Sequence, residues 1–134
     1  MKKSKVVIVG GGSTWTPGLL MSLCEKQKEF PLEELRLFDI DHDRQETIGK
    51  YAQVLFREKY PELKFSYTTD KETAYRDVDF VFCQIRTGGF SMRMLDEQIP
   101  LSYGVIGQET CGPGGFAYGL RSIPDMIQIV EDAR

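Results

Sequence analysis

A chain of 134 residues is enough for one domain, and 41% hydrophobic with 28% charged residues describes a globular protein rather than a disordered one. The net charge of -3, with acids and bases mixed along the chain, provides neither a basic run for nucleic acid nor a like-charge tail. The apolar run near the N-terminus, residues 6–9, is too short for a signal-peptide core or a membrane span. Cysteines 24, 83 and 111 have no CxxC spacing, which fits reduced thiols in a cytoplasmic protein.

The first element, "KVVIV" at residues 5–9, is β-branched without alternation, as in a strand buried on both faces. "GGGSTWT" follows, and Pro17 stands where a first helical position belongs, with Thr16 as its cap. Leu19, Leu20 and Leu23 then share a helical face. "ELRLFDI" (34–40) reads as a second strand with Leu35, Leu37 and Phe38 inward, and Asp43 with Glu46 as a capping box for the next helix. That helix carries Ile48, Tyr51, Ala52 and Leu55 and ends near Pro61. "KFSYTT" (64–69) alternates as an edge strand, while "VDFVFCQI" (78–85) is apolar enough to predict a central one. A helix over 90–103 is expected to break or bend at Pro100. After the loop "GQETCGPGG" (107–115), a last helix aligns Leu120, Ile123, Ile127 and Val130, with Pro124 as a kink or restart. Alternating strands and helices predict an α/β fold, a Rossmann-like doubly wound parallel sheet in the order 3-2-1-4. A sheet that stops after its fourth strand leaves a bare apolar edge, a hazard for pairing.

The first strand-to-helix turn suits an anion, because glycines permit a tight turn and the helix N-terminus adds partial positive charge. Gly10 and Gly12 match the dinucleotide pattern G-x-G-x-x-G, but Trp15 stands at the third glycine position. A plain tight turn remains the competing reading. Asp39, at the end of the second strand, adds a carboxylate for the adenosine ribose hydroxyls and favours NAD over NADP. A turn or cap role competes for Asp39 too, as it does for Asp41 and Asp43. The candidate cofactor residues are Gly10, Gly12, Ser13 and Thr14 on the turn, Asp39 and Arg44 after the second strand, and Ile85 and Arg86 after the fourth. There is no P-loop, and His42, the single histidine, reads as a solvated residue at a helix start.

Residues 86–121 carry a second signature. "RMLDEQIPLSYGVIGQETCGPGG", with "GGGSTWTPG" and "LFDIDHDR", resembles the NAD-dependent glycoside hydrolases of family 4 along the whole chain, which matches about the first third of such an enzyme. "DEQIPL" and "QETCGPGG" look more like the family's 6-phospho-α-glucosidases than its 6-phospho-β-glucosidases. The resemblance implies a redox route that differs from two-carboxylate hydrolysis. NAD takes a hydride from C3 of the phosphosugar, a tyrosine base removes the acidified C2 proton, a divalent metal (manganese) steadies the charge, and the aglycone leaves before water and hydride are returned. It also implies that Arg93 contacts the substrate and that Glu109 assists the base, in place of a solvated helix arginine and an exposed loop carboxylate. The family's metal cysteine lies in a later motif, so Cys111 is expected to be a packed thiol and no metal ligand is assigned. Glycines 112, 114 and 115 are expected to allow backbone approach to nicotinamide or sugar.

The expectation is therefore a partial NAD-binding domain over residues 1–134, without the metal ligands, acid and base, and inactive alone. The implied partners are a phosphorylated glucoside and, by analogy, a second copy of the chain, with neither nucleic acid nor membrane. The competing readings are a 6-phospho-β-glucosidase, a non-catalytic NAD-binding remnant, and an ordinary dehydrogenase, from which the 107–115 run is not expected.

Overall fold

In the computed structural model, which describes residues 2–134, the run SKVVIV forms β1 (Ser4–Val9) with parallel strands on both sides. The remaining strands are β2 (Leu32–Phe38), β3 (Lys64–Thr68) and β4 (Phe80–Cys83), and the sheet order is β3-β2-β1-β4, all parallel. Between them run α1 (Thr16–Glu25), α2 (His42–Lys59) and α3 (Lys71–Tyr75). These elements make one compact unit that ends at Ile85. A second unit covers Arg86–Asp132 and holds α4 (Gly89–Ser102) and α5 (Gly112–Asp132).

The first unit is layered by strand parity. Val6, Ile8, Leu35 and Leu37 pack in one core with Leu20 and Leu23 of α1 and Ala52, Leu55 and Phe56 of α2. Residues of opposite parity in β2 meet α3: the Phe38 ring lies 5.6 Å from that of Tyr75, and Arg36 donates to the carbonyl of Ala74. Arg36 and Glu34 are the charged residues buried in β2. The Arg36 Nε donates to Glu34 at 2.9 Å, and its Nη1 is turned on the carbonyls of Thr73, Ala74 and Arg76 at the end of α3. Tyr60, just past α2, both donates to the Leu32 carbonyl and accepts from the Leu32 N–H, so it closes the start of β2.

Several expectations are corrected. The cap of α1 is Trp15, which makes no side-chain capping bond; Thr16 is helical, fully buried, and accepts from Gln84 Nε2 at 2.6 Å. The cap of α2 is Asp41, which accepts from Arg44 N–H, whereas Glu46 pairs with Lys50. α3 escapes the sequence reading because five residues show no helical period; its one legible mark is the Asp70 cap on Thr73 N–H. β4, whose apolar run suits a central strand, stands at the open edge that the 3-2-1-4 order predicts: it pairs with β1, and Phe80 and Cys83 are exposed.

In the second unit, α4 runs through Pro100 without breaking and stops two residues later. α5 likewise includes Pro124, and it begins at Gly112, so "GPGG" is a first helical turn rather than loop. The last helix is amphipathic as expected, but Leu120, Ile123, Ile127 and Val130 are all exposed. Among the described residues no helix is long and apolar enough to cross a membrane.

Candidate functional site

The turn after β1 sits where the sheet changes direction, with β2 on one side of β1 and β4 on the other. In such sheets ligands bind in the crevice at the carboxyl ends of the strands. Gly10 has φ of +84°, and a Cβ there would lie 2.6 Å from the Gln84 carbonyl oxygen, just past β4. Both the backbone angle and the close approach require glycine. Gln84, absent from the sequence-derived set, completes the contact by donating to the Gly10 carbonyl and to Thr16 Oγ1.

The turn is largely satisfied from within. Gly10 and Gly11 N–H donate to the Phe38 carbonyl, Gly12 N–H to Asp39 Oδ2 at 2.8 Å, and Ser13 N–H to the Gly10 carbonyl. Trp15 and Thr16 N–H turn back to Ser13 Oγ and Ser13 O. The expected row of exposed glycine N–H groups is therefore not there. Among the described residues, the N–H of exposed Thr14 has no acceptor, and Ser13 Oγ, which accepts from Trp15, still has its own proton to donate. Ser13 and Thr14, rather than the glycines, are the groups able to meet an anion at the N-terminal end of α1.

Asp39 follows β2 directly, and its second oxygen accepts from Asp41 N–H at 3.0 Å. Arg44 stands in the first turn of α2, exposed, and its side chain has no acceptor among the described residues. Ile85 follows β4 and is half-buried. The first unit thus brings together Gly10, Gly12, Ser13, Thr14, Asp39, Arg44 and Ile85 around the ends of β1, β2 and β4. These residues fit a dinucleotide: donors for a pyrophosphate, a carboxylate for a ribose, and a crevice at the switch point.

The remaining predicted residues, Arg86, Arg93 and Glu109, lie in the second unit and form one cluster. Glu109 receives Arg86 Nη1 on one oxygen and faces Arg93 Nη1 at 3.3 Å with the other. Arg86 also stacks over Phe90, its guanidinium carbon 5.3 Å from the ring centre. Arg93 Nε donates to Glu97 at 2.9 Å, an i,i+4 pair on α4 that the spacing could have revealed. Beneath the cluster, buried Asp96 takes both Arg121 Nη atoms, at 3.2 and 2.5 Å, and ties α4 to α5. No sequence signal marked that pair.

Three of the glycines in residues 107–115 have an internal reason; the fourth, Gly112, has φ of +66° and open space where a Cβ would stand. A Cβ on Gly107 would strike the Glu97 carbonyl, one on Gly114 the carbonyls of Gln108 and Asp96, and one on Gly115 that of Thr110. They let the loop lie on α4, which sets Glu109 between its two arginines. Cys111, expected to be packed, is exposed. Among the described residues no three His, Cys, Asp or Glu side chains gather as a metal site.

A parallel sheet that reverses order at a glycine turn, with an acid after the second strand, defines a dinucleotide-binding α/β fold. The chain belongs to the family 4 glycosyl hydrolases, whose profile matches residues 5–134. Maltose-6'-phosphate glucosidase of Bacillus subtilis is 53% identical over 130 residues, 97% of this chain and 29% of that protein. The 6-phospho-β-glucosidase of Escherichia coli is 41% identical over 133 residues, 98% of this chain and 30% of that protein. A crystal structure of a 6-phospho-α-glucosidase from gut microorganisms, in complex with NAD and Mn2+, superposes with a TM-score of 0.95 at 59% identity, covering 99% of this chain and 31% of that one. The chain therefore spans about 30% of the length of the relatives it matches. Identity is higher to the α-glucosidase than to the β-glucosidase, the direction expected from "DEQIPL" and "QETCGPGG".

Proposed function

We propose that residues 1–134 are the N-terminal, NAD-binding part of a cytoplasmic 6-phospho-α-glucosidase acting on phosphorylated disaccharides. The observation that carries the reading is the turn after β1. Its glycines are spent on internal bonds, and Ser13 and Thr14 keep donors beside the carboxylate of Asp39. That set complements the anionic pyrophosphate and the ribose diol of a dinucleotide. Bound NAD would supply a hydride acceptor.

The chain's own residues would bind and orient. Ser13 Oγ–H and Thr14 N–H would donate to the pyrophosphate, and Asp39 would accept from the ribose. Arg93 spends Nε on Glu97 and part of Nη1 on Glu109, which leaves N–H groups for a substrate oxygen. Glu109, held by two guanidinium groups, is the acid we assign to assisting the base. The metal of the full-length enzyme would be held by residues outside those described.

Calorimetric titration of the 134-residue protein with NAD tests the reading: saturable binding is expected, abolished by Gly10→Val. No heat of binding up to millimolar NAD by a folded sample would refute it.

A further inference from the structure

We propose that Asp39 is a positioning residue for the glycine turn as well as the ribose acceptor, and that only the second role depends on its charge. The proposal rests on the NAD reading above and adds a part played by Asp39 in the absence of ligand. Its carboxylate spans the loops after β1 and β2: Oδ2 accepts from Gly12 N–H at 2.8 Å and Oδ1 from Asp41 N–H at 3.0 Å. Asp41 in turn caps α2 through Arg44 N–H at 3.1 Å. Gly12 is buried in this junction. A Cβ there would lie 3.0 Å from Asp39 Oδ2, 3.0 Å from Gln45 N and 3.1 Å from the Arg44 carbonyl carbon.

The second glycine of the motif and the distant acid are therefore one structural unit. Gly12 is glycine because the acid and the start of α2 occupy the space of its side chain. The acid in turn spends the Gly12 N–H, which leaves Thr14 N–H as the turn's outward donor. An asparagine oxygen can accept from Gly12 N–H as the carboxylate does, although its NH2 cannot accept from Asp41 N–H, and it lacks the charge that repels a 2′-phosphate. Arg44, exposed and without an acceptor among the described residues, stands in the first turn of α2 to receive such a phosphate once the repulsion is gone.

The test measures Gly12 amide exchange by NMR without ligand, and NAD and NADP affinity by calorimetry. It uses the wild type, Asp39→Asn, Asp39→Ala and Gly12→Ala. Gly12 should be protected in the wild type and in Asp39→Asn, and exchange about tenfold faster or more in Asp39→Ala. NAD affinity should fall at least about tenfold further in Asp39→Ala than in Asp39→Asn. Both Asp39 variants should lose discrimination against NADP. Gly12→Ala disturbs the turn but keeps the charge, so it should weaken NAD and retain discrimination; it serves if Asp39→Ala does not fold. Equal Gly12 protection and equal NAD affinity in Asp39→Asn and Asp39→Ala would overturn the positioning role. So would a wild-type Gly12 amide that exchanges freely. A wild type that binds neither nucleotide, yet shows Gly12 protection lost in Asp39→Ala, would overturn the NAD reading and leave the positioning role standing.

Discussion

Replacing Arg36 by Met should remove about 3–5 kcal/mol of folding stability, the cost of leaving one member of a buried ion pair without its partner. The pair is well buried: the side chains of Arg36 and Glu34 are 10% and 7% exposed, and they meet at 2.9 Å. Arg36 also donates to the carbonyls of Thr73, Ala74 and Arg76 at 2.9, 3.3 and 2.5 Å, so it caps α3 across the sheet. Those carbonyls would lose a charged donor: water can replace it at exposed Thr73 and Arg76, which adds about 1 kcal/mol or less each, whereas the carbonyl of buried Ala74 is left without it at about 1–3 kcal/mol. A small domain holds only about 5–15 kcal/mol in all, so the variant should be close to unfolding. Urea denaturation at pH 7 measures the loss. The double variant Glu34→Leu with Arg36→Met should recover part of it, because no charge is then stranded. The same pair has a pH signature. Burial opposes the Glu34 charge, but Arg36 and then Lys64 outweigh it and hold its carboxyl below the usual 4.5. A lowered carboxylate stabilises the fold above the unfolded-state value, and that stability is lost as pH falls through the lower folded value. Wild-type stability should drop below about pH 4.5, with a shallower drop in Glu34→Gln. An Arg36→Met protein within about 1 kcal/mol of wild type would refute the argument, since it would mean that Glu34 finds water on unpairing.

Gly10→Ala should destabilise the fold by about 1–3 kcal/mol and abolish NAD binding, because the Cβ combines a positive φ with a 2.6 Å approach to the Gln84 carbonyl; thermal melting and calorimetry read the two effects. Asp96→Ala should strand Arg121 between α4 and α5 at a cost of about 3 kcal/mol or more, and hydrogen exchange should rise along both helices. Ile123→Lys with Ile127→Lys should leave the melting temperature nearly unchanged, since both side chains are more than half exposed, and should lower any self-association that sedimentation of the wild type detects. Unchanged self-association would point to the open edge of β4 instead.

Strand order, parallel pairing and the place of the glycine turn are legible in the sequence because they follow from local signals: unbroken β-branched runs, helical spacing, and glycines at a strand's end. Asp39 is legible for the same reason, since its distance from the turn is a property of one β-α-β unit. Arg93 and Glu109 are marked only by the resemblance of the 86–121 run to a family, since by residue type alone they read as a solvated arginine and a loop carboxylate. What the sequence leaves open is decided by contacts between distant segments. Gln84 joins the turn across 74 residues, Arg36 reaches across the sheet to α3, and Asp96 finds Arg121 on another helix. The glycines at 12, 114 and 115 look like ligand glycines in the sequence, but packing shows neighbouring backbone in the space of the missing side chain. Apolarity alone suits β4 to a central place, and the strand order, legible in the sequence, puts it at the edge. A periodic pattern records which face of an element is apolar, while only the assembled structure specifies what that face, or that glycine, lies against.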